Sequence, residues 1–210
     1  REKAAQKTNR VEKAKDEELT NVKPGYVLIG QGLTELGAFV EHQKAENIQV
    51  ADSVITIKSD AFRYCRRFKS IILPSGLISI ESHAFSNCSA LEKVVFPASI
   101  NKIGSYTFQD CISLRELVFA KKSAFSMIEQ GAFAGCKQLE SVVIPASVNE
   151  IEYEAFWRCE KLKEVRLLNP QTNYHKYHGL LLKPSFPKHT KINIGKTEHV
   201  EDNHKNPLHQ

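Results

Sequence analysis

The sequence has no apolar run long enough to cross a bilayer. A transmembrane helix needs about 20 predominantly apolar residues, and the longest apolar stretches of this chain are short ones such as residues 179–182. No secretory signal opens the chain, which begins at Arg1 in a charged stretch. We therefore expect no membrane insertion, and we expect the chain to be a mature fragment or a trimmed piece of a longer protein.

The usual catalytic motifs are also missing. The sequence contains no glycine-rich phosphate loop, no Gly-x-Ser-x-Gly and no pair of carboxylates set apart from the general charge. We therefore expect a protein that is not an enzyme and that needs no cofactor.

The body of the chain has no excess of one charge. The net charge is +5, but residues 26–168 hold 16 basic and 16 acidic side chains, so the excess lies in the two flanks. Strong phosphate binding needs basic residues clustered on one face. The body offers one local group, Arg63, Arg66, Arg67 and Lys69, and we expect no nucleic-acid partner.

What the sequence does contain is a repeat. The five cysteines are spaced by 23, 23, 25 and 23 residues, and a phenylalanine stands three residues before each of them. The pairs are Phe62/Cys65, Phe85/Cys88, Phe108/Cys111, Phe133/Cys136 and Phe156/Cys159. A fixed period of this length is typical of a solenoid.

Each repeat predicts two kinds of structure. The motif Ala61-Phe62-x-x-Cys65 places apolar residues on one face of a helical turn or two. The β-branched segments that follow, such as residues 93–96, predict strands, and three of them stop at a proline. A second short extended piece follows, as in residues 148–151. Strands of successive rungs are then expected to pair in parallel, about 4.8 Å apart.

Residues 103–114 and 142–151 resemble the BspA-like class of leucine-rich repeats. The resemblance covers about residues 34–168. It implies an α/β repeat solenoid, a right-handed superhelix with a parallel sheet on one face and short helices or 3-10 turns on the other. It also implies a surface or secreted protein that mediates attachment or recognition.

The repeat divides the chain into four parts. We predict a charged flank at 1–25, helical or disordered, and a solenoid at 26–168 made of a degenerate cap rung (about 34–53, with Ala38-Phe39) and five full repeats (about 54–168). An irregular hairpin rung at 169–195 and a polar tail at 196–210 follow. Two extra residues around 120–124 are expected to bulge from the turn after a strand.

The cysteines are interpreted as core residues. Together with the five repeat phenylalanines they form the predicted interior, because free cysteine behaves as a small buried hydrophobe. Their wide spacing does not suit a metal site. A disulfide ladder between stacked rungs is an alternative, although an odd number leaves at least one thiol unpaired.

The outward face of the strands is the candidate ligand-binding surface. Side chains alternate along a strand, so the outward residues include an apolar stripe beside a row of polar groups. The predicted residues are Ile72, Lys93, Val95, Glu116, Val118, Ser141, Val143, Glu164 and Arg166. An aligned apolar stripe is typical of a docking surface. The alternative is that β-branched residues simply suit an exposed sheet.

Two further motifs point to weaker hypotheses. His175-x-x-His178 has a spacing that can ligate a metal, but nothing nearby completes the ligand set, so we predict no metal site. Asn87-Cys88-Ser89 matches a glycosylation acceptor, but its middle residue is a predicted core cysteine.

These observations predict a monomeric, non-catalytic recognition or adhesion module, secreted or at the cell surface, which binds a protein or another macromolecule through its strand face. The alternative is an intracellular leucine-rich-repeat scaffold, or a targeting arm whose catalytic domain lies elsewhere in a larger protein. Protection from surface proteolysis of intact cells would favour the intracellular alternative.

Overall fold

The computed structural model describes residues 22–33, 35–37, 45–120, 122–176 and 183–195. Over these residues the chain winds through about seven turns of a parallel β-solenoid. In chain order the strands are β1 (Val27–Ile29), β2 (Glu35–Leu36), β3 (Asn47–Val50), β4 (Thr56–Ile57), β5 (Ser70–Ile72), β6 (Ser79–Ile80), β7 (Lys93–Phe96), β8 (Lys102–Ile103), β9 (Glu116–Phe119), β10 (Met127–Ile128), β11 (Ser141–Ile144), β12 (Glu150–Ile151), β13 (Glu164–Leu167), β14 (Asn173–Tyr174) and β15 (Lys191–Ile194).

The strands form two sides of the solenoid. The odd-numbered strands up to β9, followed by β11-β13-β15, form the side that we call sheet A. The shorter strands β2-β4-β6-β8 and β10-β12-β14 form sheet B. Every pairing is parallel, with equivalent residues of successive repeats side by side, as in Val94 beside Leu117. The predicted parallel stacking of rungs is confirmed.

Proline sets the corner between the two sheets. Pro74, Pro97 and Pro145 follow strands of sheet A, where a residue without an N–H cannot extend a ladder. Each proline carbonyl instead accepts a hydrogen bond from the N–H three residues later, at 3.1–3.2 Å. The chain therefore turns at this point and enters sheet B.

The third side consists of hydrogen-bonded turns, and the predicted helices are wrong for the described residues, which contain no α- or 3-10 helix. Asp60 and Tyr64 have φ values of 58° and 62°, and equivalent residues in later repeats share this left-handed conformation. A helix cannot pass through such residues. The N–H groups of Ala61, Arg63 and Cys65 bond three residues back, whereas those of Phe62 and Tyr64 bond to the next rung. The turn face is thus held to its neighbours by backbone hydrogen bonds, as the sheets are.

The repeat cysteines end these turns instead of lying on a helix, which corrects the position that the sequence pattern predicted for them. The N–H of each cysteine donates to the carbonyl of the phenylalanine three residues before it, at 3.0–3.3 Å. The five donors are Cys65, Cys88, Cys111, Cys136 and Cys159. A single turn closed in this way is enough to point phenylalanine and cysteine to the same side, so the helical spacing is kept without a helix.

The repeat phenylalanines form a continuous stack through the interior. Successive rings lie nearly parallel with their centres about one rung apart: Phe62–Phe85 at 4.8 Å, Phe85–Phe108 at 5.0 Å, Phe108–Phe133 at 5.5 Å, Phe133–Phe156 at 5.2 Å and Phe156–Phe186 at 5.3 Å. Stacked aromatic pairs add to the free energy of simple burial. The stack is therefore the common core of all the described rungs between β4 and β15.

The two-residue insertion interrupts both sheets. β9 and β11 lie side by side but belong to separate ladders, and so do β8 and β10. Lys121, inside the segment predicted to bulge, lies outside the described residues; after it, Phe125 lies in the core, and the hydroxyl of Ser123 is buried without a hydrogen-bond partner. Ser147 holds the register position at which Ser99 donates to two carbonyls of the preceding rung, but its hydroxyl has no partner either. The rung before Ser147 contains the insertion, and it does not offer the carbonyl acceptors that Ser99 finds in a regular rung.

The C-terminal segment continues the solenoid. β14 and β15 pair in parallel with β12 and β13 rather than with each other. Parts of the predicted boundaries fall outside the described residues: the flank up to residue 21, Ala38-Phe39 of the cap rung, residues 177–182 of the predicted hairpin, and the tail from 196. At the N-terminal end β1 adds a strand before the predicted cap rung.

Candidate ligand-binding face

Alternation along the strands of sheet A divides their side chains into an inner and an outer set. In β7, Val94 and Phe96 are fully buried, whereas Lys93 and Val95 are exposed. β11 repeats this pattern, with Val143 outward. Because stacked rungs keep the same register, the outward residues of one position line up across the sheet.

The outward apolar stripe consists of Ile72, Val95, Val118 and Val143. Val95 and Val143 are each 49% exposed, and the other two are partly buried. Polar side chains bound the stripe, since Gln49 lies beside Ile72 at one end and Arg166 lies beside Val143 at the other. Four rungs spaced by about 4.8 Å give a strip roughly 14 Å long.

A polar row runs parallel to the stripe, formed by the outward residue two positions earlier in each strand. Its members are Ser70, Lys93, Glu116, Ser141, Glu164 and Lys191. Lys93 and Glu116 form an ion pair of 2.9 Å, and Asn193 donates a hydrogen bond to Glu164. Both members of the ion pair are about half exposed, and such pairs contribute little to stability. The row gives the face charge without a single dominant sign.

The five cysteines all lie in the interior as free thiols, so the alternative of a disulfide ladder is wrong. No disulfide joins them, and their side chains hydrogen-bond to the backbone of the neighbouring rung. Four thiols donate to the carbonyl of a phenylalanine from the preceding rung, at 3.1–3.4 Å: Cys88 to Phe62, Cys111 to Phe85, Cys136 to Phe108 and Cys159 to Phe133. The cysteines therefore link successive rungs by hydrogen bonds that need no oxidation.

Burial also governs the acidity of three of the thiols. It raises the pKa of the Cys65 thiol to about 11, and it raises the pKa of Cys88 and Cys136 well above the usual range. These three thiols stay protonated at neutral pH. A buried protonated thiol is a hydrogen-bond donor in the core rather than a nucleophile or a metal ligand.

His175 is occupied by contacts within the solenoid. Its ring stacks on Tyr153 with the centres 3.8 Å apart, and its Nε2 atom lies 3.9 Å from a Glu150 carboxylate oxygen. Its sequence partner His178 lies outside the described residues. In the ranges that the structure describes, no group of three or more possible ligands could hold a metal ion.

The formal glycosylation motif lies on the turn face. Asn87 has a φ of 62°, and its side-chain amide donates to Ser86 Oγ at 2.9 Å. The next residue, Cys88, is fully buried. The acceptor side chain is therefore held against its own rung.

Sequence reasoning missed two features. Phe186 extends the phenylalanine stack, but it stands 30 residues after Phe156 and so falls off the 23-residue register. The only available signal was the pair Ser185-Phe186, which takes the place of Ala-Phe. The second feature is a cavity of about 230 Å³ at the C-terminal end, lined among others by Tyr174, Phe186 and Ile192.

Comparison with known families identifies the repeat. The model of the BspA type leucine rich repeat region matches six copies over residues 35–163. The chain therefore belongs to the BspA-type leucine-rich-repeat family. No curated protein sequence matches it. The described residues include no helix that is long and apolar enough to cross a membrane.

Solved structures share this solenoid. A leucine-rich repeat protein from Eubacterium ventriosum is 26% identical with a TM-score of 0.59, over 63% of this chain and 35% of that one. The pneumococcal vaccine antigen PcpA is 25% identical with a TM-score of 0.60, over 72% and 41%. The leucine-rich repeat protein of T. pallidum (TpLRR) is 26% identical with a TM-score of 0.52, over 68% of this chain and 71% of that one. The chain thus spans less than half the length of the first two.

Proposed function

We propose that this protein is a non-catalytic recognition module of the cell surface or the extracellular space. Its sheet A face binds a protein or another macromolecule, and the residues proposed for contact are those of the apolar stripe and the adjoining polar row. The observation that carries the proposal is the stripe itself, in which Val95 and Val143 stay half exposed and Val95 lies beside Val118 in the sheet.

The contrast between the two sheets supports the choice of face. Strands of sheet A run over three or four residues and place two outward positions per rung on one surface, whereas those of sheet B have two residues each. Aligned aliphatic side chains beside hydrogen-bonding groups are what a protein interface uses. Among the structural relatives, the pneumococcal protein is described as a vaccine antigen, which fits a protein accessible from outside a cell.

Paired charge substitutions test the face. We expect Val95→Glu with Val143→Glu to abolish capture of binding partners by the immobilised chain, because a carboxylate cannot be buried against an apolar surface without a large penalty. Stability should change by less than about 1 kcal/mol for the pair, since both side chains are surface residues. The measurement is affinity capture from extracts of candidate host tissue and matrix, followed by direct titration of any captured protein.

The matched control carries the same two charges on the sheet B side, at Met127 in β10 and at Ile78 directly before β6. Ile78 and Met127 are 40% and 37% exposed, so Ile78→Glu with Met127→Glu adds equal charge at similar exposure. Capture that survives in the sheet A variant and fails in the control would contradict the proposed face. Protection of the protein from proteases added to intact cells would contradict the proposed location.

A further inference from the structure

Two arginines beside a tyrosine, with a third arginine next in the sequence, form a basic cluster on the rung that ends in β5, where the turn face meets sheet A. Arg63, Tyr64, Arg66 and Arg67 are all exposed, and Tyr64 is 51% exposed. The guanidinium carbons of Arg63 and Arg66 lie 5.1 and 5.7 Å from the centre of the Tyr64 ring. Cation–π attraction of this kind holds the two guanidinium groups together despite their like charge.

Two of these charges are not neutralised within the part of the solenoid that the structure describes. Arg63 pairs with Asp60 at 3.0 Å, but Arg66 and Arg67 form no ion pair with any carboxylate of the described residues. Lys69, which lies two residues after Arg67, differs because its Nζ atom is 3.2 Å from a carboxylate oxygen of Glu46. A guanidinium without a carboxylate partner presents its planar set of donors to sulfate, phosphate or carboxylate groups in a bidentate geometry.

The backbone at Tyr64 gives an independent reason to regard the cluster as functional. Tyr64 has a φ of 62°, a conformation that asparagine, aspartate and glycine adopt more readily than bulky side chains do. The same position in the next four rungs holds Asn87, Asp110, Gly135 and Arg158, all with positive φ. Tyr64 and Arg158 are thus the two bulky side chains at a position where the other described rungs have asparagine, aspartate or glycine, and strained residues of this kind occur most often at binding sites.

The surface next to the cluster favours a linear ligand. The residues equivalent to Arg67 in the next four rungs are Ala90, Ser113, Gln138 and Lys161. None of the four is a carboxylate, and the last is a second cation. Lys161 Nζ donates to Gln138 Oε1 at 2.7 Å, so the end of this line carries a positive charge. Four steps of about 4.8 Å make the line roughly 19 Å long.

We propose that the cluster and this line bind a sulfated polysaccharide. Sulfate groups are bound by Arg66 and Arg67, and the hydroxyl groups of the sugar chain meet the small and polar side chains of the next rungs. Duplex nucleic acid is a poorer fit, because its binding needs many phosphate contacts spread over a broad basic face. The site differs from the sheet A stripe and does not depend on the proposed function.

Titration of the whole chain with a heparin octasaccharide tests the proposal. The variant Arg66→Gln with Arg67→Gln should lose at least about tenfold in affinity at low salt, and its affinity should depend less steeply on salt because two charge contacts are gone. The charge-matched control is Lys102→Gln with Lys122→Gln, which removes two cations from other surfaces. The control should bind as the unaltered chain does.

A second variant separates binding from folding. Tyr64→Asn places a favoured residue at the left-handed position, so the midpoint of thermal unfolding should stay the same or rise while octasaccharide affinity falls severalfold. Unchanged affinity in the double arginine variant or in Tyr64→Asn would overturn the proposal. An equal loss in the lysine control would do the same, as would equal or tighter binding of a DNA duplex of matched charge.

Discussion

The inside and the outside of this solenoid follow opposite rules. Along the interior, one register position repeats phenylalanine in every described rung from Phe62 to Phe186, and another repeats cysteine in five. Along the outside of sheet A, one position changes from serine to lysine to glutamate and back to serine between Ser70 and Ser141. Each interior residue packs on its own counterpart, so the same shape suits every rung. The outward positions have no such constraint, so their side chains are free to differ from rung to rung.

The largest loss of stability is expected from truncating a side chain at the centre of the phenylalanine stack, which tests this difference directly. Phe108 is fully buried between Phe85 and Phe133. Phe108→Ala should lower the free energy of unfolding by about 3–5 kcal/mol through lost burial and the cavity left behind. Val95→Ala, an outward counterpart, should change it by about 0.5 kcal/mol or less. Urea denaturation followed by circular dichroism measures both, and similar losses would remove the distinction between inside and outside.

An intermediate loss of stability is expected where the ring of Tyr106 packs closely against Gly131 of the next rung. Tyr106 crosses over Gly131 and donates a hydrogen bond to Glu154 at 3.2 Å. A Cβ atom at Gly131 would lie 2.2 Å from the Tyr106 ring, and Gly131 has a φ of 61°. Gly131→Ala should therefore destabilise the fold by roughly 2 kcal/mol.

Two variants locate the source of that cost. Gly76→Ala adds a methyl group into open space without a positive φ, and it should be close to neutral. Combining Gly131→Ala with Tyr106→Ala should cost less than the sum of the two single changes, because the steric conflict is then gone. Strict additivity in the same urea titrations would place the cost in the backbone alone.

The smallest effect concerns the buried thiols and pH. Burial raises the pKa of Cys65 from 9.0 to about 11. Below pH 9 the thiol is protonated in both states and its contribution to stability is complete. As pH rises from 9 to 11 the unfolded chain loses this proton while the folded chain keeps it, so stability falls. Cys65→Ala should therefore show a shallower loss of stability over this range, measured by urea titration at each pH. A slope equal to that of the unaltered chain would place Cys65 in contact with water.

The repeat made much of the interior predictable. A side chain that recurs every 23 residues and is apolar each time can only face a common core, and the ten predicted phenylalanines and cysteines are all buried. The helical turns were predicted wrongly for a local reason. The spacing of Ala61, Phe62 and Cys65 suits a helix, but Asp60 and Tyr64 adopt positive φ, and their own N–H groups donate to carbonyls of the next rung. Single-residue preferences do not reveal such a conformation.

The role of the cysteines was only half predictable. Their recurrence beside phenylalanine indicated burial, and Cys111 and Cys159 are indeed fully buried. Their partners were not indicated, because the sequence left a disulfide ladder open. The carbonyls that accept from these two thiols belong to Phe85 and Phe133, each 26 residues earlier in the chain. Such a pairing follows from the stacking of rungs, which spacing along one repeat does not describe.

The sequence alone determined the period, the residues that face the core and the outward stripe, because these depend on spacing along the chain. The three-dimensional arrangement decided the rest. Only stacking shows that the insertion divides both sheets, that Phe186 completes the stack although it lies 30 residues after Phe156, and that Tyr106 lies over Gly131. The arginine–tyrosine cluster likewise takes its meaning from the rungs beside it. Hydrogen bonds and packing between rungs join residues 20 or more positions apart, and no local pattern encodes which of them will meet.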